Sequence, residues 1–191
     1  MIKAVIFDFF GVICSDEYWN FVKEDKNADG DFNKLSADLN LGHISWRDFV
    51  SEVAKDTGQD IAKVRQMYES QKVHPEMVAF IGKLHERYKT ALISNASTEH
   101  LAPILEQGGL KKVFNEIIIS SELGIAKPDP RIFQIALARL QVEPHEAVFI
   151  DDISRYIYAA KELGINTILY DNFGQMKTEL VRLLTNESGQ L

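Results

Sequence analysis

Five polar residues stand where short apolar runs end: Asp8 after Val5-Ile6-Phe7, Ser94 and Asn95 after Ala91-Leu92-Ile93, and Asp151 and Asp152 after Ala147-Val148-Phe149-Ile150. A sixth, Lys127, followed by Pro128, lies in the loop beyond Ile117-Ile118-Ile119. Taken singly, each has an ordinary explanation. Asp8 suits a turn, Ser94-Asn95 the start of a helix, Lys127-Pro128 a loop, and Asp151-Asp152 a helix N-cap. Taken together, they supply what phosphoryl transfer needs: a carboxylate, a hydroxyl with amides, a cation and a carboxylate pair. A carboxylate attacking a phosphate ester brings anions together, so a divalent cation and positive groups must cancel the repulsion. The set therefore assigns Asp8 as a nucleophile that becomes an aspartyl phosphate. Asp8, Asp151 and Asp152 offer hard oxygen ligands suited to Mg²⁺. Ser94 and the amides near Asn95 are expected to hold phosphoryl oxygens, while Lys127 offsets charge on the nucleophile and the transition state.

For these residues to meet, the runs that precede them must be neighbouring strands with their carboxyl ends on one edge. The runs are continuous rather than alternating, as in strands covered on both faces, and Thr167-Ile168-Leu169-Tyr170 makes a fifth. Between them lie helical periods, with Met77, Phe80, Ile81 and Leu84 at i, i+3, i+4 and i+7, and Phe133, Ala136, Leu137 and Leu140 repeating the spacing. Strand then helix, repeated, predicts a doubly wound α/β fold with a mostly parallel sheet, which gathers ligands at the strand carboxyl ends. Gly108-Gly109 and Gly164 are placed to end helices in the left-handed conformation.

One interval departs from this rhythm. No strand run falls between residues 16 and 74. Ser45 opens an amphipathic helix carrying Trp46, Phe49, Val50 and Val53, the stretch Asp38 to Gly42 reads as a helix end and turn, and Ile61, Val64 and Tyr68 mark another helix. The expected organisation is a Rossmann-like core of residues 1–15 and 75–191, with residues 16–74 inserted as a small helical cap over the sheet.

Composition narrows the partners. The 191 residues are 46% apolar and 26% charged, as in a soluble globular protein. With 21 Lys and Arg against 28 Asp and Glu, the formal charge is −7, and no basic cluster offers a footprint for nucleic acid. The residues from Met1 to Phe10 lack the long apolar region of a signal peptide, and no stretch is long enough to cross a membrane. The lone Cys14 excludes an internal disulfide and a cysteine zinc site, and the expected location is cytoplasmic. A monomer and a dimer fit equally.

The motifs resemble those of the haloacid dehalogenase superfamily. Asp8-Phe9-Phe10-Gly11-Val12 is similar to its first motif, Ser94-Asn95-Ala96-Ser97 to its second, Lys127-Pro128 to its third and Phe149-Ile150-Asp151-Asp152 to its fourth. Gly42-His43-Ile44-Ser45, followed by Phe49, resembles a helix-turn-helix segment of the caps in a subgroup that includes sugar-phosphate phosphatases. The resemblance spans essentially the whole chain. It implies a Mg²⁺-dependent hydrolase, most simply a phosphatase for a small phosphorylated metabolite, with the backbone carbonyl of Phe10 as a further metal ligand.

One position departs from that pattern. Phosphatases of the superfamily usually carry a second Asp two residues after the nucleophile, which protonates the leaving alcohol and later activates water; here that residue is Phe10. Because positioned acid–base catalysis contributes roughly 10² to 10⁴ in rate, turnover of alkyl phosphates should be slow and the aspartyl phosphate should accumulate. Asp16 or Glu17 offers a substitute carboxylate, although both also suit a solvated helix start. Phe10 by itself suits a 2-haloacid dehalogenase, which needs no metal, but Asp151 and Asp152 would then crowd Asp8 without a cation. A catalytically weak phosphate-binding protein is a third reading. Cys14 reads as an apolar filler, Tyr156 as an aromatic packing residue, and His43 and His74 as cap-side residues without metal-ligand spacing.

Overall fold

The computed structural model describes residues 1–15 and 31–186. Five strands, β1 (Ala4–Phe7), β2 (Lys89–Ser94), β3 (Glu116–Ile119), β4 (Ala147–Asp151) and β5 (Asn166–Leu169), form one sheet in the order β3-β2-β1-β4-β5. All four pairings are parallel. The strands are short because each needs only to cross the core, and β1 at the centre is fully buried on both faces.

Alternation along β1 explains that burial. Val5 and Phe7 point to one face, with Leu92, Val148 and Ile150, and meet Met77 and Ile81 of α4 (Pro75–His85), Leu101 and Leu105 of α5 (Thr98–Gln107), and Met176 and Leu180 of α9 (Phe173–Asn186). Ala4 and Ile6 point the other way, with Ala91, Ile93 and Phe149, and meet Ile132, Phe133 and Ala136 of α7 (Pro130–Leu140) and Tyr156 and Ala160 of α8 (Ser154–Glu162). A β1 side chain of either parity is thus removed from water, at roughly 25 cal/mol per Å² of apolar surface. Between β3 and α7 runs only the single turn α6 (Ser120–Leu123).

The described part of that interval, from residue 31 onward, holds three helices: α1 (Asp31–Asn40), α2 (Trp46–Thr57) and α3 (Ile61–Glu69). Ser45 caps α2, its Oγ accepting from the Asp48 amide, and Asp60 caps α3 by accepting from Ala62. Phe32, Leu39, Trp46, Phe49, Val50, Val53, Val64 and Tyr68 form an apolar cluster separate from the two that flank the sheet. The chain enters and leaves this region through a short antiparallel stem, in which Ser15 N donates to Lys72 O and His74 N to Ile13 O, both at 2.9 Å.

Two local expectations shift. Gly109, not Gly108, adopts the left-handed conformation after α5, as Gly164 does after α8. Tyr170 lies beyond β5, where its amide donates to Asp151 O. Among the described residues, no helix is long and apolar enough to cross a membrane.

Candidate active site

β1 lies between β2 and β4, so the chain departs from the central strand in opposite directions and leaves a crevice at the carboxyl ends. Asp8 follows β1 directly and its amide donates to Ile150 O of β4 at 2.9 Å, which fixes the carboxylate beside Asp151. Lys127 arrives on the loop before α7 and is held from β2: Asn95 Oδ1 accepts from Lys127 N (2.8 Å) and Asn95 Nδ2 donates to Lys127 O (2.9 Å). The Lys127 ammonium then donates to Asp8 Oδ1 at 2.7 Å and to Asp151 Oδ2 at 2.6 Å, with its side chain 1% exposed. The rings of Phe149 and Tyr156 lie beneath it, their centroids 5.5 and 5.0 Å from Nζ. Asp151 Oδ1 accepts from the Ile153 amide, so the turn role and the charged role of this aspartate coexist.

Burial dominates the electrostatics. It pushes the Asp8 carboxyl well above the usual carboxylate range; Lys127 pulls the other way and the charge of Asp151 adds to the rise. Burial alone would depress the Lys127 ammonium, but the two carboxylates more than offset this and its pKa is raised. Once Asp8 is ionised, one buried cation between two acids leaves an excess of negative charge, to which Asp152 adds. One carboxylate oxygen from each of Asp8, Asp151 and Asp152 lies within 4.8 Å of the other two, a donor set of hard oxygens that fits a small divalent cation. The close approach of Asp152 depends on Gly11: at φ +83° it carries no side chain, and a Cβ there would sit 2.5 Å from Asp152 Oδ2.

Beside Asp8 opens a cavity of about 120 Å³ whose walls include rings from the inserted helices and from α5. The rings of Phe10, His100 and Trp46 form one stack, with centroid separations of 5.6 and 4.2 Å. Tyr68 stands edge-on to Trp46 at 5.0 Å. His100 Nε2 lies 3.2 Å from Tyr68 O; a carbonyl can only accept, so Nε2 carries the proton and Nδ1 is the acceptor nitrogen. Burial lowers the His100 pKa to about 4, so the stack is neutral at pH 7. Ser36, Asn40, Gln71 and Asn95 add neutral polar groups to the lining. A second cavity of about 460 Å³ adjoins the first and shares Ser36, Asn40, Asn95, Lys127 and Tyr156 with it.

Asp8, Asn95, Lys127, Asp151 and Asp152 therefore meet as the sequence analysis expects. Ser94 differs: it is fully buried at the end of β2, its Oγ has no hydrogen-bond partner among the described residues, and it is absent from the cavity walls. The Phe10 side chain joins the aromatic stack. Asp16 and Glu17 lie outside the described residues. Cys14 is buried in the apolar cluster, His74 precedes α4, and His43 is exposed beside Asp38; none of the three lines the cavity next to Asp8. Sequence reasoning missed His100, Tyr68 and Gln71 as wall residues. The first lies six positions after Ser94, on the helix that follows the second motif, and the other two close the inserted helices. Tyr156, read as packing, also contributes its hydroxyl, which accepts from Asn95 Nδ2 at 3.2 Å.

The doubly wound sheet thus carries a buried aspartate, a clamped lysine and an acidic pair at its switch point. Residues 2–164 match the haloacid dehalogenase-like hydrolase family, and the chain belongs to it. It is 27% identical over 206 residues to D-ribitol-5-phosphate phosphatase of Bacteroides thetaiotaomicron, a match covering 97% of this chain and 100% of that protein. It is 34% identical over 102 residues to (S)-2-haloacid dehalogenase 1 of Pseudomonas sp., covering 53% of this chain and 45% of that enzyme. Against several curated relatives the match spans half of their length or less. A magnesium complex of a HAD family enzyme from Bacteroides thetaiotaomicron superposes with a TM-score of 0.79 at 23% identity, covering 95% of this chain and 98% of that one.

Proposed function

We propose that this chain is a Mg²⁺-dependent phosphatase for a small phosphorylated metabolite, with α1–α3 and the residues flanking them, 16–74, serving as its cap. The observation that carries this reading is the Lys127 bridge between Asp8 and Asp151, with Asp152 alongside. A lone nucleophile needs one cation; an excess of carboxylates makes sense when a second cation joins. Asp8, Asp151, Asp152 and the Phe10 carbonyl would hold Mg²⁺, which supplies charge neutralisation to the phosphoryl group.

With Asp8 Oδ1 engaged by Lys127, Oδ2 is the oxygen that attacks phosphorus. The P–O ester bond breaks as the P–Oδ2 bond forms, giving an aspartyl phosphate and an alkoxide that takes a proton from water, since the Phe10 ring has none to give. Water then attacks phosphorus, phosphate leaves and Asp8 is restored. Lys127 and the backbone amides near Asn95 bear on the phosphoryl oxygens, while the Asn95 side chain is spent on holding Lys127 and Tyr156.

Dehalogenation is the second reading, favoured by the aromatic Phe10 and by the apolar wall it joins. The deciding experiment follows p-nitrophenol release from p-nitrophenyl phosphate with and without Mg²⁺, at enzyme concentrations that resolve one equivalent. Sustained Mg²⁺-dependent release is expected, and a burst of one equivalent that stops identifies a phosphoenzyme that cannot activate water. Silence here combined with chloride release from 2-chloropropionate would replace the phosphatase reading with dehalogenation.

A further inference from the structure

Tyr156 is 7% exposed, and its hydroxyl is the meeting point of two donors: Asn95 Nδ2 at 3.2 Å and Arg155 Nη2 at 3.0 Å. The Arg155 guanidinium also stacks on the same ring, 4.9 Å from its centroid, while the Lys127 ammonium lies 5.0 Å from that centroid. A phenol oxygen has two acceptor positions and one proton. Both acceptor positions are taken, so the proton is the only hydrogen-bonding capacity left, and none of the described residues accepts it. As an acceptor the hydroxyl is satisfied, which leaves its proton available to a ligand that enters the cavity it lines.

Tyr156 lines both cavities, together with Asn95 and Lys127. A phosphate ester with its phosphorus near Asp8 and its alcohol portion in the larger cavity would pass this junction. We propose that the Tyr156 hydroxyl donates its proton in a hydrogen bond to a phosphoryl oxygen of the substrate, and that Arg155 is a positioning residue that turns the hydroxyl toward it. The inference rests on the phosphatase reading and adds a binding residue to it. Arg155 acts by occupying a lone pair, which forces the O–H outward, and its charge polarises the phenol so that the outgoing bond is stronger.

Calorimetric titration of the full chain with inorganic phosphate, in the presence of MgCl₂, tests this. Tyr156→Phe keeps the ring under Lys127 and deletes only the hydroxyl. A hydrogen bond to a charged group predicts that phosphate binding weakens about tenfold or more in this variant, with the thermal midpoint little changed. Arg155→Gln, on an exposed side chain, should weaken binding severalfold in the unaltered background and have no further effect beside Tyr156→Phe, because the arginine acts only through the hydroxyl. Equal phosphate affinity in Tyr156→Phe and the unaltered chain would overturn the proposal, as would an undiminished Arg155→Gln effect in the double variant. Failure of the unaltered chain to bind phosphate with Mg²⁺ would overturn the phosphatase reading and this proposal with it.

Discussion

Lys127 sets a single positive charge between two buried carboxyl groups, and its removal would leave both facing each other out of water. Lys127→Met is therefore expected to destabilise the fold by about 3 to 5 kcal/mol in urea titrations, beyond its loss of turnover. Asp8→Asn should do the reverse. Burial raises the carboxyl pKa above its unfolded value, so the ionised form strains the native state and the neutral amide does not. That contribution is present at low pH and fades as pH rises through the native pKa. The variant should thus gain stability over the unaltered chain in EDTA as pH is raised, while losing all turnover; a uniformly lower thermal midpoint would contradict this. His100 carries the opposite sign: its native pKa of about 4 lies below the ordinary 6.5, so stability is complete above pH 6.5 and drains as pH falls toward 4. The loss reaches about 3 kcal/mol when the whole shift is traversed, and His100→Phe, which keeps a ring in the stack, should flatten that limb of the stability curve. The charge pairing was expected from the residue types, but the burial that sets these environments was not legible in the sequence, where Asp8 and Lys127 stand 119 positions apart.

At the scale of elements, the turn after β1 and the turn after α1 each depend on a missing side chain. Gly11 sits at φ +83° with Asp152 Oδ2 where a Cβ would fall, and Gly42 at φ +74° with Ser121 O 2.7 Å from its own absent Cβ. Gly11→Ala is expected to weaken Mg²⁺ binding at least tenfold in calorimetric titration by displacing Asp152, while leaving the sheet folded. Gly42 and the bond from Ser120 Oγ to Asn40 O (2.6 Å) tie the helical layer to the end of β3. The strands, the capped helix at Ser45 and the glycine stops were readable because each is a local pattern: an apolar run, a capping side chain, a left-handed turn. The aromatic wall was not, since Phe10, Trp46, Tyr68 and His100 come from four separate segments and only the docking of the layer makes them neighbours.

For the whole molecule, an acidic cluster that fits a divalent cation couples occupancy to stability. A ligand that binds only the folded chain stabilises by about 2.7 kcal/mol at a hundred times its dissociation constant, so the thermal midpoint should climb with MgCl₂ and fall back with EDTA. A midpoint indifferent to Mg²⁺ would remove the metal from the site. The architecture was legible in outline because five continuous apolar runs separated by helical periods leave few alternatives; Asp8, Asp151 and Asp152 stood out by their places at strand ends, and Lys127 by the loop it shares with Pro128. Ser94 was assigned a direct role from its position in the motif, and its complete burial outside the cavity walls is something that the apolar run before it does not reveal. Asn95 has a wider consequence. Its amide engages both the N–H and the C=O of Lys127, as a neighbouring strand would, so the lysine is indexed to the end of β2 and not to the length of the loop that carries it. Segments of different length could be exchanged between Leu123 and Ala126 with the ammonium still delivered to the same spot, which makes this loop a place where the chain can be rebuilt around an unmoved charge.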